Sequence, residues 1–326
     1  MKSIRILVLV MLSAMMIVPS CVPGGGGSSD SKNETGVLKG KISISGAFAL
    51  YPLTVMWAEE FNKLHPKVRV DISAGGAGKG MTDALSKMVD LGMFSRSISQ
   101  AEKDLGCWWV AVAKDAVLPT IHSENPALKD LLRTGITREQ FQEIFLGQGG
   151  SKWHSLSTVS TCEKINVYTR SDACGAAQMW AEYLGSDQES LQGIGVFGDP
   201  GMADAVKKDP CGMGYNNLIY IFDMGTRKPY DGLEVIPIDL NGNGNIEPDE
   251  DCYTSLDDVM KAIAEDRYPS PPARELYFVA KGKPENRAVI EFIRWILTEG
   301  QQYVHHAGYV NLNEEKVSQE IEKLSR

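Results

Sequence analysis

The chain has 326 residues, 43% of them hydrophobic and 23% charged, with a formal net charge of −9. That length can bury two modest cores, and the composition is that of a folded globular chain rather than a disordered one. The acidic excess argues against a polynucleotide partner, and any anionic ligand needs a local pocket that works against the overall field.

Residues 1–20 read as an export signal: Lys2 and Arg5 precede an apolar run from Ile6 to Val18 that is too short to span a bilayer. Pro19-Ser20-Cys21 ends it like a lipobox, making Cys21 the expected site of cleavage and lipidation, with simple secretion as the alternative, and residues 21–36, rich in Gly and Ser, the lipidated flexible tether. Cleavage takes away Lys2 and Arg5 and no acid, leaving 31 basic against 42 acidic residues, a net −11. No other segment is long and apolar enough to cross a membrane, so the expected location is extracytoplasmic, with membrane contact through the lipid anchor only. Export permits disulfides among Cys107, Cys162, Cys174, Cys211 and Cys252, at most two pairs, with the pairing open. No Cys-x-x-Cys is present, which argues against a zinc ribbon or thioredoxin chemistry.

In chain order, the alternating run Ile42-Ser43-Ile44-Ser45 predicts a strand that ends in Gly46-Ala47, and Leu50, Leu53, Trp57 and Phe61 at helical spacing predict a helix after it. Val68 to Ile72 is a second strand, stopping at Gly75-Gly76-Ala77-Gly78-Lys79-Gly80 before a helix that begins near Met81. A short helix spans Ser99 to Leu105, a strand Trp108 to Val117, and Thr137-Arg138-Glu139-Gln140 is a capping box. Ile165 to Tyr168 is a strand that feeds the small-residue loop Thr169 to Ala176, after which a helix buries Met179, Trp180 and Tyr183. Cys211 to Tyr215 is a tight turn into a strand, Glu234 to Ile238 and Leu276 to Val279 are strands, and Asn286 to Leu297 is a strongly apolar helix. Strands alternating with helices predict open α/β sheets. Three strand–loop–helix junctions expose helix-start N–H groups beside small residues, and such groups suit an anion at the carboxyl ends of several strands.

Ser45 to Leu53, Gly75 to Gly80, Asp90 to Arg96, Thr137 to Trp153 and Arg170-Ser171-Asp172-Ala173-Cys174-Gly175 occur in one order that resembles the phosphate-binding protein of bacterial phosphate ABC transporters, the PstS-like family. The resemblance covers about Gly40 to Asn311. It implies a two-lobed periplasmic-binding-protein fold of type II, each lobe an open, mostly parallel sheet flanked by helices, joined by a two-strand hinge. Lobe 1 is then residues 37–117 plus 271–326, and lobe 2 residues 118–270. The implied function is capture of phosphate, or a similar tetrahedral oxyanion, for delivery to the transmembrane subunits of an ABC permease, by a monomer. The implied ligand-binding positions are Ala47, Phe48 and Ala49 in the first loop, Gly78 and Lys79 in the second, Ser95 and Arg96 after the third strand, and Arg170, Asp172, Cys174, Gly175 and Ala176 in the last. The family commonly presents Ser or Thr hydroxyls from these loops. Here Ala47, Ala49, Ala77 and Cys174-Gly175-Ala176 stand in their places, so the site rests on backbone N–H groups, Ser95 and the cations. Arg170 with Asp172 suits a braced bidentate clamp, or a surface salt bridge; Lys79 suits a ligand contact, or a solvated helix position. Micromolar binding needs about −8 kcal/mol, which two charge-assisted contacts of about 1.5–3 kcal/mol each and two or three helix ends can supply.

A second signal is independent. Asp239-Leu240-Asn241-Gly242-Asn243-Gly244-Asn245-Ile246-Glu247-Pro248-Asp249-Glu250 follows the EF-hand calcium-loop pattern, with oxygen donors from Asp239, Asn241, Asn243, Glu247 and Glu250, the Asn245 carbonyl, and Gly244 at the sharp turn. No helix precedes it and no second loop pairs with it, so a structural Ca²⁺ is expected within residues 239–250, with a metal-free turn as the alternative. A surface sensor or adhesion protein that keeps the fold, or a binder of molybdate, tungstate or sulfate, is the competing reading. An enzyme is not expected, nor a catalytic cofactor: His65, His122, His154, His305 and His306 lie near no Ser or Cys motif.

Overall fold

In the computed structural model, which describes residues 37–147, 150–157 and 162–325, the alternation at Ile42 and Ile44 becomes β1 (Gly40–Gly46), with both isoleucines buried. The expected export signal, tether and lipidated Cys21 lie outside the described residues. The chain continues through α1 (Tyr51–Leu64), β2 (Val68–Ala74), α2 (Ala77–Leu85), β3 (Leu91–Phe94), α3 (Gln100–Asp104) and β4 (Cys107–Ile121). Next come α4 (Leu128–Thr134), β5 (Ile136–Thr137), α5 (Arg138–Leu146), β6 (Asn166–Arg170), α6 (Gly175–Tyr183), β7 (Ile194–Val196) and α7 (Gly198–Lys207). They are followed by β8 (Gly212–Asn217), α8 (Leu218–Ile221), β9 (Glu234–Val235), β10 (Ile238–Asp239), α9 (Leu256–Ala264), β11 (Ala273–Lys281), α10 (Arg287–Leu297) and α11 (Glu314–Ser325).

β1 pairs in parallel with β2 and β3, and β6 in parallel with β7 and β8. These are the two parallel halves that alternation of strands and helices implies. They are not separate sheets. β4 is 15 residues long: its first part pairs antiparallel with β11, and Val117–Ile121 pairs antiparallel with β8. One curled sheet therefore runs β2-β1-β3-β11-β4-β8-β6-β7, and β4 and β11 cross between the lobes side by side. The cores remain distinct. One gathers Trp57, Phe61, Phe94, Phe278 and Phe292; the other gathers Phe141, Phe145, Trp180 and Tyr215. In the second, Trp180 lies 5.1, 5.5 and 5.9 Å from the rings of Phe141, Phe145 and Tyr215, and each such pair adds about 0.5–1.5 kcal/mol beyond burial.

Three local expectations shift. α2 starts at Ala77 and not near Met81, because Gly76 takes φ 89 and turns the chain immediately before it. Gly78 and Lys79 are therefore in the first turn of the helix. The strand expected at Glu234–Ile238 is broken into β9 and β10, because Pro237 has no N–H to donate to a ladder. The strand expected to end at Val117 runs on to Ile121. The capping boxes at Ser99/Glu102 and Thr137/Gln140 are both formed. The open pairing question closes on Cys162–Cys211, which joins the starts of β6 and β8, while Cys107, Cys174 and Cys252 are free, buried thiols. Among the described residues, no helix is long and apolar enough to cross a membrane.

Candidate functional site

Arg170 is the last residue of β6, and its guanidinium is fully buried. Asp172 holds it by two parallel bonds, Nε to Oδ1 at 2.8 Å and Nη2 to Oδ2 at 2.6 Å. Asp172 Oδ1 also accepts from the Gly198 N–H at 3.1 Å, which fixes the carboxylate from the start of α7. On the other side, Asp199 Oδ2 lies 2.9 Å from Nη1, an ion pair off the hydrogen-bond axis. Gln188 bridges the loop, donating to the Asp172 carbonyl and accepting from the Cys174 N–H. The Cys174 thiol caps α6 by accepting from the Ala177 N–H at 3.4 Å. The Arg170–Asp172 pair is thus buried and not a surface salt bridge.

Lobe 1 meets this loop at three places. The Gly78 N–H donates to the Ala173 carbonyl at 3.1 Å, so the α2 start is docked on the Arg170–Cys174 loop. Ser95, 2% exposed at the end of β3, lies against Gly175, and a Cβ on Gly175 would overlap both the Ser95 carbonyl and its hydroxyl. Phe48 reaches across from the first loop: its ring is 5.8 Å from the Arg170 guanidinium carbon and 6.0 Å from the Phe197 ring, and its carbonyl accepts from the Tyr220 hydroxyl at 3.1 Å. The lobes are therefore closed on each other, with Arg170 and the start of α6 between them.

The predicted residues divide accordingly. Phe48, Gly78, Ser95, Arg170, Asp172 and Gly175 are brought to the lobe interface, whereas Cys174 and Ala176 are buried with the Trp180 core of the second lobe. Ala47 and Ala49 are buried beside it, and the Ala47 N–H already donates to the Met93 carbonyl at 2.9 Å. Lys79 is ion-paired with Asp83 one helical turn on, and its side chain is 46% exposed. Arg96 is clamped by Glu102 at 2.7 and 3.2 Å, stacks on Phe94, and lines a cavity of about 400 Å³ with Lys114, Glu182, Arg274 and Tyr277 beside β11. The structure gives neither Lys79 nor Arg96 a contact with the Arg170 cluster.

Sequence reasoning missed a fourth junction, β7 into α7, which contributes Asp199. Val196-Phe197-Gly198-Asp199-Pro200-Gly201 carries the same strand, small-residue and Pro signal at a helix start. Asp199 begins a buried polar chain: its Oδ1 accepts from Asn217 Nδ2 at 2.6 Å, Asn217 Oδ1 accepts from Arg274 Nη2, and Arg274 Nη2 lies 3.2 Å from Asp115 Oδ2. Asp115 is on β4 and Arg274 on β11, so this chain joins the cleft to the two crossing strands. Burial pushes the Asp115 carboxyl up to about 6, against the lowering pull of Arg274. Burial likewise raises Asp199, outweighing the Arg170 charge. Burial works against the Arg170 charge too, but Asp199 and its other neighbours outweigh it and hold the pKa above the usual arginine value. Burial, the largest cause, pushes the Cys174 thiol up to about 12.

A sequence model described as a PBP superfamily domain matches residues 31–299. The chain belongs to the PBP superfamily. Within it, this PBP-superfamily chain is similar to the phosphate-binding protein PstS of Methanocaldococcus jannaschii, 26% identical over 95% of this chain and 92% of that one. PstS of Bacillus subtilis is 24% identical over 98% of this chain and 97% of its own length. Among solved structures, a phosphate ABC transporter substrate-binding protein from Clostridium perfringens, with bound phosphate, superposes with TM-score 0.68 at 22% identity, covering 84% of this chain and all of that one. A phosphate transport receptor from Vibrio cholerae gives TM-score 0.61 at 19% identity, covering 83% of this chain and 100% of that one. These likenesses establish the two-lobed binding-protein fold.

Proposed function

We propose that this protein captures phosphate between its lobes outside the cytoplasm and delivers it to the transmembrane subunits of an ABC permease. The observation that carries the reading is Arg170. It is a fully buried guanidinium, braced by Asp172, beside the first residues of α6, in the closed cleft between two lobes. Arg170 and the α6 amides together suit a tetrahedral oxyanion, since a guanidinium charge and a helix start both favour negative charge. The relatives named for phosphate binding, matched along nearly their whole length, favour phosphate within that class and a transport role over sensing or adhesion. On the same reading the protein is a monomer, held at the membrane by a lipid on Cys21, and it catalyses no reaction. Titration calorimetry against phosphate, arsenate, sulfate, molybdate and tungstate tests it. Phosphate is expected to bind at micromolar or tighter affinity and more tightly than the others; no heat with any of them overturns the reading.

We also propose that the loop 239–250 binds a structural Ca²⁺. The donors fit in kind, all being oxygens, and Asp239 and Glu250 are buried carboxylates at 3% and 6% exposure. Asp239 accepts from the Gly242 and Gly244 N–H groups at 2.8 Å each, so its carboxylate is oriented by the turn. Glu247 lies against the amides of Asn241 and Asn243, at 3.1 Å from each, and those amide oxygens must turn inward to ligate. Among the described residues no three His, Cys, Asp or Glu side chains form a metal cage, so the asparagines carry a share of the coordination. Calcium at a hundred times its Kd should stabilise the fold by about 2.7 kcal/mol, read as a raised Tm. Glu250→Gln should lose most of that rise; equal rises in both proteins sink the assignment.

A further inference from the structure

The chain of polar groups behind Arg170 holds three carboxylates, Asp172, Asp199 and Asp115, and two guanidiniums, Arg170 and Arg274. Fully ionised, it carries one excess negative charge, and an incoming oxyanion adds at least one more among buried side chains. Asp172 is held on three sides, by Arg170 Nε, Arg170 Nη2 and the Gly198 N–H. Asp199 accepts one hydrogen bond, from Asn217 Nδ2, and meets Arg170 Nη1 off axis. Of the two carboxylates beside Arg170, Asp199 therefore gives up less than Asp172 by becoming neutral.

We propose that Asp199 takes up one proton from solvent when an oxyanion docks beside Arg170, and so sets how the cleft's affinity depends on pH and on the charge of the ligand. This rests on the oxyanion reading above and goes beyond it by naming the residue that balances the charge. The groups facing Asp199 are Arg170 and Asp172 from the loop after β6, Cys174 from the α6 cap, Asn217 from β8, Asp115 from β4, Arg274 from β11, Tyr220 from α8 and Tyr309 from the C-terminal segment. Two of these are cations: Arg170, which Asp172 and Asp199 already share, and Arg274, which faces Asp115. Burial raises the Asp199 pKa in the unliganded protein, and a bound anion raises it further, because like charge opposes its ionisation. The complex then holds more protons than the free protein. Affinity falls as pH rises, by about tenfold per pH unit in the window between the free and bound pKa values, and is flat below it. The added proton resides on Asp199 Oδ or is shared with a ligand oxygen; the uptake is the same in either case.

The test is calorimetric titration of inorganic phosphate at about pH 8.5, above its second ionisation, in two buffers of different ionisation enthalpy. The buffer dependence of the heat counts protons taken up. About one per phosphate is expected for the wild-type protein. Asp199→Asn should take up none and show an affinity flat with pH, whereas Asp115→Asn should keep the uptake, which locates the proton. Identical heats in both buffers for the wild-type protein overturn the proposal without requiring any variant to fold. Uptake lost in Asp115→Asn but kept in Asp199→Asn also overturns it. No heat at all overturns the phosphate reading, and this inference with it.

Discussion

Arg170→Ala is expected to weaken phosphate binding by about 10²- to 10⁴-fold, the loss of two charge-assisted contacts of about 1.5–3 kcal/mol each. It should also destabilise the unliganded fold by about 3–5 kcal/mol, because the variant leaves Asp199 and Asp172 buried without their cation. The two effects separate by pH. Asp199 already has a raised pKa in the folded protein, and removing Arg170, which pulls it down, raises it further above the unfolded value of about 3.9. A carboxyl whose folded pKa is raised binds protons preferentially in the native state, so stability falls as pH rises through that range. The stability deficit of Arg170→Ala should therefore be larger at neutral pH than in mild acid, read from urea unfolding at both. The binding loss should persist at either pH. Arg170→Lys keeps the charge but not the fork that Asp172 grips on two nitrogens, so it should restore part of the stability and less of the affinity. A variant that binds phosphate like the wild type would remove Arg170 from the site.

What could be read ahead of the structure follows from which interactions are local. The apolar spacing of Leu53, Trp57 and Phe61 identified α1, because burial of one helix face is written within one turn of sequence. The small-residue loops were legible for a related reason: Gly46 packs against Met93 and Gly80, where a Cβ would overlap backbone, and Gly78 meets Ala173. Arg96 shows the limit. Its place beside Ser95 resembled a ligand position, yet Glu102, which also closes the Ser99 capping box, holds the guanidinium at two points. One glutamate thus serves a helix cap and an ion pair, and only the fold of the intervening turn decides which cation it takes. Asp199, Asn217 and Arg274 were illegible for another reason. In sequence they look like surface polar residues tens of positions apart, and their burial arises only where β4, β8 and β11 come side by side. The calcium loop lies between these cases, since its donor pattern is entirely local whereas the inward turn of its asparagines is not.

Gly175→Ala should break closure without breaking either lobe. Gly175 is the first residue of α6, and the added Cβ would occupy the position of the Ser95 carbonyl and hydroxyl in the opposite lobe. Ser95 is the residue after β3, whose Phe94 and Met93 pair with β11, so its backbone has little room to yield. Relief comes from parting the lobes, which lengthens the Gly78–Ala173 bond and withdraws the Phe48 carbonyl from Tyr220. Forced overpacking of this kind costs about 1–3 kcal/mol, so phosphate affinity should fall by about 5- to 150-fold. Alanine at this position fits the α6 helix itself, and the added Cβ meets Ser95 of the opposite lobe rather than a side chain of its own core, so the Tm of the unliganded protein should shift far less than in Arg170→Ala. Small-angle scattering supplies the second readout: phosphate should compact the wild-type protein and leave Gly175→Ala extended. Wild-type affinity together with wild-type compaction in Gly175→Ala would mean that the liganded protein does not use the Ser95–Gly175 contact. The anion would then have to sit between the lobes in place of that contact, with Arg170 reached from a more open cleft.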